Sequence, residues 1–376
     1  MRSQNLQFVV IVLLTAPVWT PETSNVTASL RGISAVDNRV VWASGSGSTV
    51  LRTADGGATW QRLTVTTDRV DFRDIDAIDE QTAYVLSIGA GATSRIYKTT
   101  DAGAHWDLQF ANQDPKVFLD AMSFWDATHG IAVSDTIDGR FVIFMTDDGK
   151  TWNEVPGDRL PPAEEGEGFF AASGTNIAVR GKDNVWIGTG AAAKARVLRS
   201  SDHGRTWQVA ATPLLSGQKS GIYSIAFRDD RHGIIVGGTY DKESEALDNL
   251  AVTDDGGATW TLIKERGLSG FRSVVAYIAG QRAPTWLAVG PSGTDISEDD
   301  GRTWSAVPGP GFHTFSLAPR SPVGWAAGSQ GRIAKLAGFG QRTISIPHFS
   351  SPSSSAARDA GSSNSGMGSA TSFGSS

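Results

Sequence analysis

The 376-residue sequence contains no cysteine. That absence excludes disulfide bonds, a thiol nucleophile and any metal site that uses cysteine ligands. An excess of basic residues is also lacking, because the formal net charge is −6. A nucleic-acid-binding protein needs a concentrated basic face, so we expect no nucleic-acid partner. The six histidines are scattered without the spacing of metal ligands, and we therefore expect no metal site.

Signatures of cofactor binding and catalysis are equally scarce. Gly188-Thr189-Gly190 is not followed by a helical pattern, as a dinucleotide-binding loop would be. Gly149-Lys150-Thr151 resembles the end of a phosphate loop, but Phe144 stands where its first glycine belongs. There is no Gly-x-Ser-x-Gly elbow, and no two carboxylates are recognisable as an acid and base pair. We expect no cofactor and no catalytic residue.

Long hydrophobic runs are limited to the N-terminus. Arg2 precedes the apolar stretch from Phe8 to Leu14, which is shorter than the ~20 residues that a membrane-spanning helix needs. Such a stretch is typical of a secretory signal, so we predict a signal peptide over residues 1–16 and an exported, periplasmic or extracellular protein. No transmembrane span is expected after its removal. The alternative is that this stretch is a buried edge strand of the folded domain.

The abundant feature is a repeated corner, seen most clearly at Thr253-Asp254-Asp255-Gly256-Gly257-Ala258-Thr259-Trp260. The Asp255 carboxylate can accept backbone N–H groups two or three residues on, which closes a tight turn. Gly257 allows a positive φ, and the threonines suit the flanking strands. A buried Trp hides ~150–250 Å² of surface. We interpret the unit as a turn between antiparallel strands that is fixed by its own side chains.

Six corners follow the pattern Ser/Thr-x-Asp-x-Gly-x-Thr-Trp, the third in a weaker form with Met145 in place of the hydroxyl residue. We assign them a structural role, carried by the aspartates Asp55, Asp101, Asp147, Asp202, Asp255 and Asp299 and by the tryptophans Trp60, Trp106, Trp152, Trp207, Trp260 and Trp304. Steps of 44 to 55 residues between these tryptophans suit one four-stranded blade per repeat.

Each repeat also begins alike, with an apolar residue, a variable one, a small or polar one and another apolar one. Examples are Leu30-Arg31-Gly32-Ile33 and Phe169-Phe170-Ala171-Ala172, and there are seven such openings against six corners. The sequence therefore predicts an all-β fold, a seven-bladed β-propeller of four-stranded antiparallel blades.

The two chain ends supply the missing outer strand. The last repeat ends near Leu336 without a corner, while Trp19 stands 11 residues before Leu30, where a corner Trp belongs. We predict that the N-terminal strand from about Trp19 to Asn25 joins the last blade and closes the ring, which removes open sheet edges. The propeller should span residues 17–340.

Two regions depart from the repeats. Residues 341–376 are dominated by Ser, Gly and Ala, and such a composition predicts a disordered tail. Residues 156–168 form an acidic loop before the fourth blade, and residues 241–249 lengthen the fifth blade.

The variable residue of each opening should form a ring on one face of the propeller. Reading round the ring gives Arg31, Arg73, Leu119, Phe170, Tyr223, Arg272 and His313. After ring closure Arg272, His313, Arg31 and Arg73 would form a basic arc, opposite an apolar arc that includes Phe170 and Tyr223. Arg offers a planar bidentate fork and aromatic rings offer contact area, so this face suits a partner protein segment or an anionic ligand. The alternative is that these side chains only line the strand starts.

The corners resemble the Asp-box, or BNR, repeat of β-propellers. From Trp19 to Leu336 the chain resembles the seven-bladed photosystem II assembly and stability factor family, including its homologues in non-photosynthetic bacteria. Second strands such as Ile131-Ala132-Val133 and Trp325-Ala326-Ala327-Gly328 carry the resemblance further. The resemblance implies a non-catalytic scaffold, which we expect to be monomeric, with protein partners that include membrane-associated ones. Photosynthetic members are described as having an arginine patch, to which the basic arc is similar.

The competing hypothesis is a sialidase-like glycoside hydrolase. Sialidases share the corner motif, and a triad of Arg31, Arg73 and Arg272 is conceivable. However, Arg31-Gly32-Ile33 does not match the Arg-Ile-Pro of their first strand, and no tyrosine and glutamate nucleophile pair can be placed. Bacterial relatives of the assembly factors often carry an oxidoreductase label, which no cofactor site in this sequence supports.

Overall fold

Seven four-stranded antiparallel sheets follow one another in the computed structural model, which describes residues 7–15, 17–337 and 340–348. The strands in chain order are β1 (Gln7–Thr15), β2 (Val18–Glu22), β3 (Leu30–Ala35), β4 (Val41–Gly45), β5 (Thr49–Thr53), β6 (Gln61–Leu63), β7 (Asp71–Ala77), β8 (Ala83–Ile88), β9 (Arg95–Thr99), β10 (Asp107–Ala111), β11 (Leu119–Phe124), β12 (Gly130–Ile137), β13 (Arg140–Thr146), β14 (Asn153–Glu154), β15 (Ile177–Arg180), β16 (Asn184–Gly188), β17 (Arg196–Ser200), β18 (Gln208–Ala211), β19 (Ser220–Phe227), β20 (Gly233–Thr239), β21 (Leu250–Thr253), β22 (Thr261–Leu262), β23 (Val274–Ile278), β24 (Thr285–Gly290), β25 (Gly293–Ser297), β26 (Ser305–Val307), β27 (Thr314–Leu317), β28 (Gly324–Ala327), β29 (Ile333–Ala337) and β30 (Gly340–His348). Single 3₁₀ turns lie at Gly91–Thr93, Gly157–Arg159 and Ser329–Gly331.

Blades 1 to 6 each take four consecutive strands from β3 to β26, and blade 7 has the order β2-β29-β28-β27. The first strands of neighbouring blades pack against one another around the centre of the ring. The chain is thus a seven-bladed β-propeller, as the repeat spacing predicts.

Ring closure occurs through the N-terminal strand. β2 is the outer strand of blade 7, with Trp19 paired to Leu336 and Glu22 paired to Ile333. Trp19 is buried, and its ring lies 4.9 Å from Phe312 and 5.6 Å from Phe315, ring centroid to ring centroid. The prediction that the strand around Trp19 completes the last blade is confirmed.

β1 and β30 form a separate two-stranded antiparallel sheet, in which Gln7 pairs with His348 and Thr15 with Gly340. These strands fall within the predicted signal peptide and at the start of the predicted tail. Residues 1–6 and 349–376 lie outside the described residues, and both predictions stay predictions. Among the residues that the structure describes, no helix has the length and hydrophobicity needed to cross a membrane.

The hydrophobic core is divided among the seams between neighbouring blades. The second strands supply the largest fully buried side chains, Trp42, Trp286 and Trp325. Trp60, from the corner of blade 1, packs in one cluster with Trp325 of blade 7. Each blade is only four strands wide, so burial of large aromatic side chains between neighbouring blades contributes much of the apolar stabilisation of the propeller.

The aspartate of the first corner accepts backbone and hydroxyl hydrogen bonds, as predicted, but from the residue four positions on instead of two or three. Thr53 Oγ1 donates to Asp55 Oδ1 at 2.7 Å, and Asp55 accepts the backbone N–H and the hydroxyl of Thr59 at 2.9 and 2.6 Å. The backbone N–H of Gly57, whose φ is +93°, donates to Thr53 Oγ1 at 3.0 Å. Hydrogen bonds from Thr59 hold the pKa of Asp55 at about 2, so the carboxylate is charged across the physiological range.

The third corner differs from the sequence assignment. Thr146 Oγ1 donates to Asp148, which accepts the N–H groups of Lys150 and Thr151 at 2.7 Å. Asp147 instead lies 3.7 Å from His203 Nε2 and is 81% exposed. The corner is one residue shorter than its counterparts, so Asp148 and not Asp147 is its structural aspartate.

Candidate functional site

The inner strands of several blades begin with a β-bulge, and the bulged residue projects from the pairing register. The extra residues are Arg31 in β3, Arg73 in β7, Asp120 in β11 and Tyr223 in β19. A bulge twists the strand and redirects one side chain. In blades 1, 2 and 5 the bulged residue is the variable residue of the opening, so there the sequence pattern marks a distinct structural position.

Of these four side chains, Arg31, Arg73 and Tyr223 line one cavity of about 310 Å³, the central cavity. Its lining includes five of the six residues proposed from the sequence, namely Arg31, Arg73, Phe170, Tyr223 and His313. Tyr240 and Glu243 also line the cavity, and both lie in the connection of residues 240–249 between β20 and β21, which contains the predicted insertion in blade 5. The remaining lining residues come from blades 4 and 6 and are Ala171, Ala172, Phe271, Ser273 and Pro291. The sequence indicated the insertion but not that it reaches this cavity.

The two arginines form the cationic side of the cavity. Among the described residues, neither Arg31 nor Arg73 has a carboxylate within ion-pair distance. Arg31 Nε donates to Ser29 Oγ at 3.3 Å, and Arg73 Nη1 donates to the carbonyl of Ala171 at 3.1 Å. Burial, followed by the charge of Arg73, lowers the pKa of Arg31 to about 10. Two half-buried cations that repel each other are a favourable place for an anionic group.

His313 adds a neutral imidazole to this side. Burial and the positive charges of Arg31, Arg73 and Arg332 lower the pKa of His313 to about 4. The ring is therefore uncharged at neutral pH, and it can donate or accept one hydrogen bond at each nitrogen according to its tautomer. His313 therefore adds no charge to the predicted basic arc at neutral pH.

Arg272 does not reach the cavity, and the prediction that places it there is wrong. Its guanidinium is buried and pairs with Asp295, with an Nη2 to Oδ2 distance of 2.7 Å, and both side chains are 1% exposed. Ser269 Oγ, Ser292 Oγ and the carbonyl of Phe271 accept its other N–H groups. With every charge paired, Arg272 is a structural residue of blade 6. The three arginines of the sialidase hypothesis consequently do not meet.

The aromatic side of the cavity is a stacked pair. The rings of Phe170 and Tyr223 lie 4.2 Å apart at an interplanar angle of 8°. The Tyr223 hydroxyl donates to the carbonyl of Lys219, and Phe271 packs edge-on against its ring. Tyr240 stands beside them with 47% of its surface exposed. The cavity therefore combines a cationic wall with an apolar one.

Blade 4 contributes Phe170 from a loop and not from a strand opening. β15 begins at Ile177, so residues 169–172 are not the inner strand that the sequence pattern predicts. Ala171 contacts side chains of blades 2 and 3: its carbonyl accepts a hydrogen bond from Arg73 Nη1, and its backbone N–H donates one to the Asp120 carboxyl group.

The bulge also corrects the ring position in blade 3. Asp120, not Leu119, is the bulged residue, and Leu119 is fully buried in the core of blades 2 and 3. Burial, with a further contribution from Asp135, raises the pKa of Asp120 well above its ordinary value. Phe118 and Leu119 are both apolar, so either can be read as the first apolar residue of this repeat, and the sequence pattern placed the variable position one residue too early.

A larger and more open groove of about 960 Å³ lies where the corners of blades 3 and 4 meet. Its histidines are already engaged locally: His129 Nδ1 lies 2.9 Å from Asp126, and His203 Nδ1 lies 2.8 Å from the carbonyl of Lys182. Trp125 and His203 pack ring to ring at 4.3 Å. These contacts fix the seam between the blades, so the central cavity remains the better candidate for binding.

Comparison with known proteins supports the fold. No protein-family model matches the sequence, and no curated protein matches it. Among solved structures, the chain is similar to YCF48 bound to D1 peptide, at 17% identity and a TM-score of 0.60 over 84% of this chain and 96% of that one. YCF48 from Cyanidioschyzon merolae gives 17% identity and a TM-score of 0.60, over 85% and 98% of the two chains. A streptogramin B lyase gives 12% identity and a TM-score of 0.63, over 86% and 98%.

Proposed function

We propose that this protein is a non-catalytic scaffold that binds a segment of a partner protein on the propeller face that carries the central cavity. The observation that carries the proposal is the juxtaposition of Arg31 and Arg73, without carboxylate partners among the described residues, with the stacked rings of Phe170 and Tyr223. Aromatic and arginine side chains in partly desolvated pockets dominate the energetics of protein interfaces.

Likeness to a solved complex gives this proposal a second support. One similar structure is YCF48 bound to D1 peptide. The corner repeats and the ring of seven blades agree with a relationship to photosystem II assembly factor-like proteins, and we propose this relationship for the chain. Similarity of fold to a lyase does not imply lyase activity in this chain, because proteins with unrelated functions share the propeller fold.

The experiment is partner capture by charge-reversed variants. The double variant Arg31→Glu/Arg73→Glu should lose the partner from an extract of the native host, whereas Arg62→Glu/Arg69→Glu, which changes two exposed arginines outside the cavity, should retain it. Both variants should melt like the wild type. Equal capture of the partner by the two double variants would show that the cavity is not the binding site. Hydrolysis of a sialoside analogue, lost on Arg31→Ala, would favour the glycosidase instead.

We also propose that the protein is exported and that its signal peptide is cleaved before β2. The pairing of Val18 with Ala337 and of Trp19 with Leu336 requires these residues in the mature chain. Mass spectrometry of the protein from its native host should therefore find an N-terminus that lies after Met1 and no later than Val18. A mature chain that begins at Met1 would contradict cleavage.

A further inference from the structure

The insertion in blade 5 is fixed against the cavity wall. The Glu243 carbonyl accepts hydrogen bonds from the N–H of Phe271 at 2.9 Å and from Ser292 Oγ at 2.8 Å. At the end of the insertion, the side chain of Asn249 donates to the carbonyl of Gly270 at 2.7 Å. Residues 240–249 are thus tied to blade 6, and they hold Tyr240 and Glu243 in the cavity lining.

The net charge of the cavity lining is small at neutral pH. Arg31 and Arg73 are positive, Glu243 is negative, and His313 is neutral at neutral pH. The lining itself therefore has one net positive charge, and Asp71, just outside the lining, acts with its negative charge on both arginines. A single carboxylate would neutralise it. A phosphate group, which has a charge of about −1.5 to −2 at neutral pH, would leave excess negative charge near Glu243 in a partly desolvated site.

The cavity volume limits the size of the group that can bind beside that carboxylate. A cavity of about 310 Å³ holds on the order of ten waters at ~30 Å³ each, which is room for one or two side chains and not for an extended element. Phe170 and Tyr240 offer apolar surface in the lining, and the buried Tyr223 supports Phe170 by stacking against it. Tyr240 still has 47% of its surface free for contact. A large apolar side chain would cover these rings.

Given the proposed binding function, on which this inference rests, we propose that the insertion at residues 240–249 selects the partner segment. The selected segment carries one isolated carboxylate next to a large apolar side chain. Glu243 excludes segments with clustered or doubly charged anions, and Tyr240 receives the apolar side chain. Both are specificity-determining residues of the partner site.

The test uses five-residue peptides that are acetylated and amidated, so that the central residue alone carries charge. The sequence Gly-Leu-Glu-Leu-Gly is compared with versions in which phosphoserine or Gln replaces Glu, and with one in which Ser replaces both Leu residues. For the wild-type protein, isothermal titration calorimetry should give at least about tenfold tighter binding of the Glu-Leu peptide than of each of the others.

Two variants with matched controls assign the preference to the insertion. Glu243→Gln should bring the phosphoserine peptide to within about threefold of the Glu peptide, because the repelling charge is gone. Glu245→Gln, which changes a glutamate of the same insertion that lies outside the cavity lining, should keep the preference. Tyr240→Ala should weaken the Leu peptide but not the Ser peptide, whereas Leu247→Ala, also on the insertion and 50% exposed, should change neither.

Three results would overturn the inference: tighter or equal binding of the phosphoserine peptide by the wild type, an unchanged ratio in Glu243→Gln, or no binding of any peptide in the set. These failures are distinguishable from failure of the proposed function. If capture of the native partner still depends on Arg31 and Arg73, the cavity is the binding site and only the selected chemistry is wrong.

Discussion

Glu22 Oε2 accepts a hydrogen bond from Trp60 Nε1 at 3.0 Å, and Glu22 Oε1 accepts one from Trp325 Nε1 at 3.3 Å. Glu22 belongs to the N-terminal strand, Trp60 to blade 1 and Trp325 to blade 7. One carboxylate therefore joins the closing strand to the two blades that meet where the ring closes. Ring closure in this propeller has a polar contact as well as strand pairing.

Removing this carboxylate should destabilise the ring. Glu22→Ala leaves two buried indole N–H groups without partners, which should lower the free energy of unfolding by ~1–3 kcal/mol. Urea denaturation measures the change. Thr20→Ala, at an exposed position of the same strand, serves as the control and should have little effect. A Glu22→Ala variant as stable as the wild type would show that the contact does not stabilise closure.

The third corner provides a test that separates two adjacent residues. Asp148→Ala removes the acceptor for the N–H groups of Lys150 and Thr151, so its melting temperature should fall. Asp147→Ala removes an exposed carboxylate without a turn contact and should melt like the wild type. Thermal denaturation followed by circular dichroism measures both, and the opposite order would restore the assignment made from sequence.

The corner tryptophans should contribute through packing. Trp260 is 8% exposed and lies in the cluster between blades 4 and 5. Truncation to alanine leaves a cavity, and Trp260→Ala should cost ~3–5 kcal/mol. Asp255→Ala in the same corner should cost less, ~1–2 kcal/mol, because the loss is limited to turn hydrogen bonds. Chemical denaturation of the two variants would contradict this account if Trp260→Ala were the milder change.

Asp74 should make stability depend on pH. Burial raises its pKa to about 7, despite hydrogen bonds from the N–H groups of Met122 and Ile75. The folded state therefore holds this proton more tightly than the unfolded state, whose Asp pKa is about 3.9. The contribution of Asp74 to stability is complete below that value and falls as pH rises through about 7.

Asp74→Asn should reduce that dependence and leave the contribution of Asp76, whose pKa burial also raises to about 7. Between about pH 5.5 and about pH 8 the wild-type urea midpoint should fall more steeply than that of the variant. Glu80→Gln, an exposed position beyond the same strand, should follow the wild type. Parallel pH profiles for the wild type and Asp74→Asn would show that the carboxyl titrates near its ordinary pKa in the folded protein.

Much of the fold could be predicted from the sequence because each blade is encoded locally. The corner residues fix one turn per blade, and their spacing sets the blade number. The position of Trp19, 11 residues before Leu30, predicted the closing strand. Two predictions failed by one residue, at Asp147 and at Leu119, and in blade 4 the predicted opening is a loop because the inner strand begins only at Ile177. At Asp147-Asp148 either carboxylate fits a corner, and only the hydrogen bonds of Thr146 choose between them.

The candidate site was less predictable, for two physical reasons. Arg272 occupies the expected position in its repeat, but Asp295 on a neighbouring strand of the blade neutralises it. That pairing depends on side-chain direction, which spacing does not specify. His313 was counted as basic, whereas burial beside two arginines keeps it neutral. The insertion was recognised, but its course over the cavity depends on hydrogen bonds to blade 6.

Site-specific photocross-linking in the native host tests the central claim most directly. A benzophenone side chain placed at position 240, on the cavity, should cross-link a partner protein, and the adduct should disappear in the Arg31→Glu/Arg73→Glu background. The same probe at position 209, which is exposed on the outer strand of blade 4, should give no such adduct. Partner adducts from position 209 and none from position 240 would contradict binding at the central cavity.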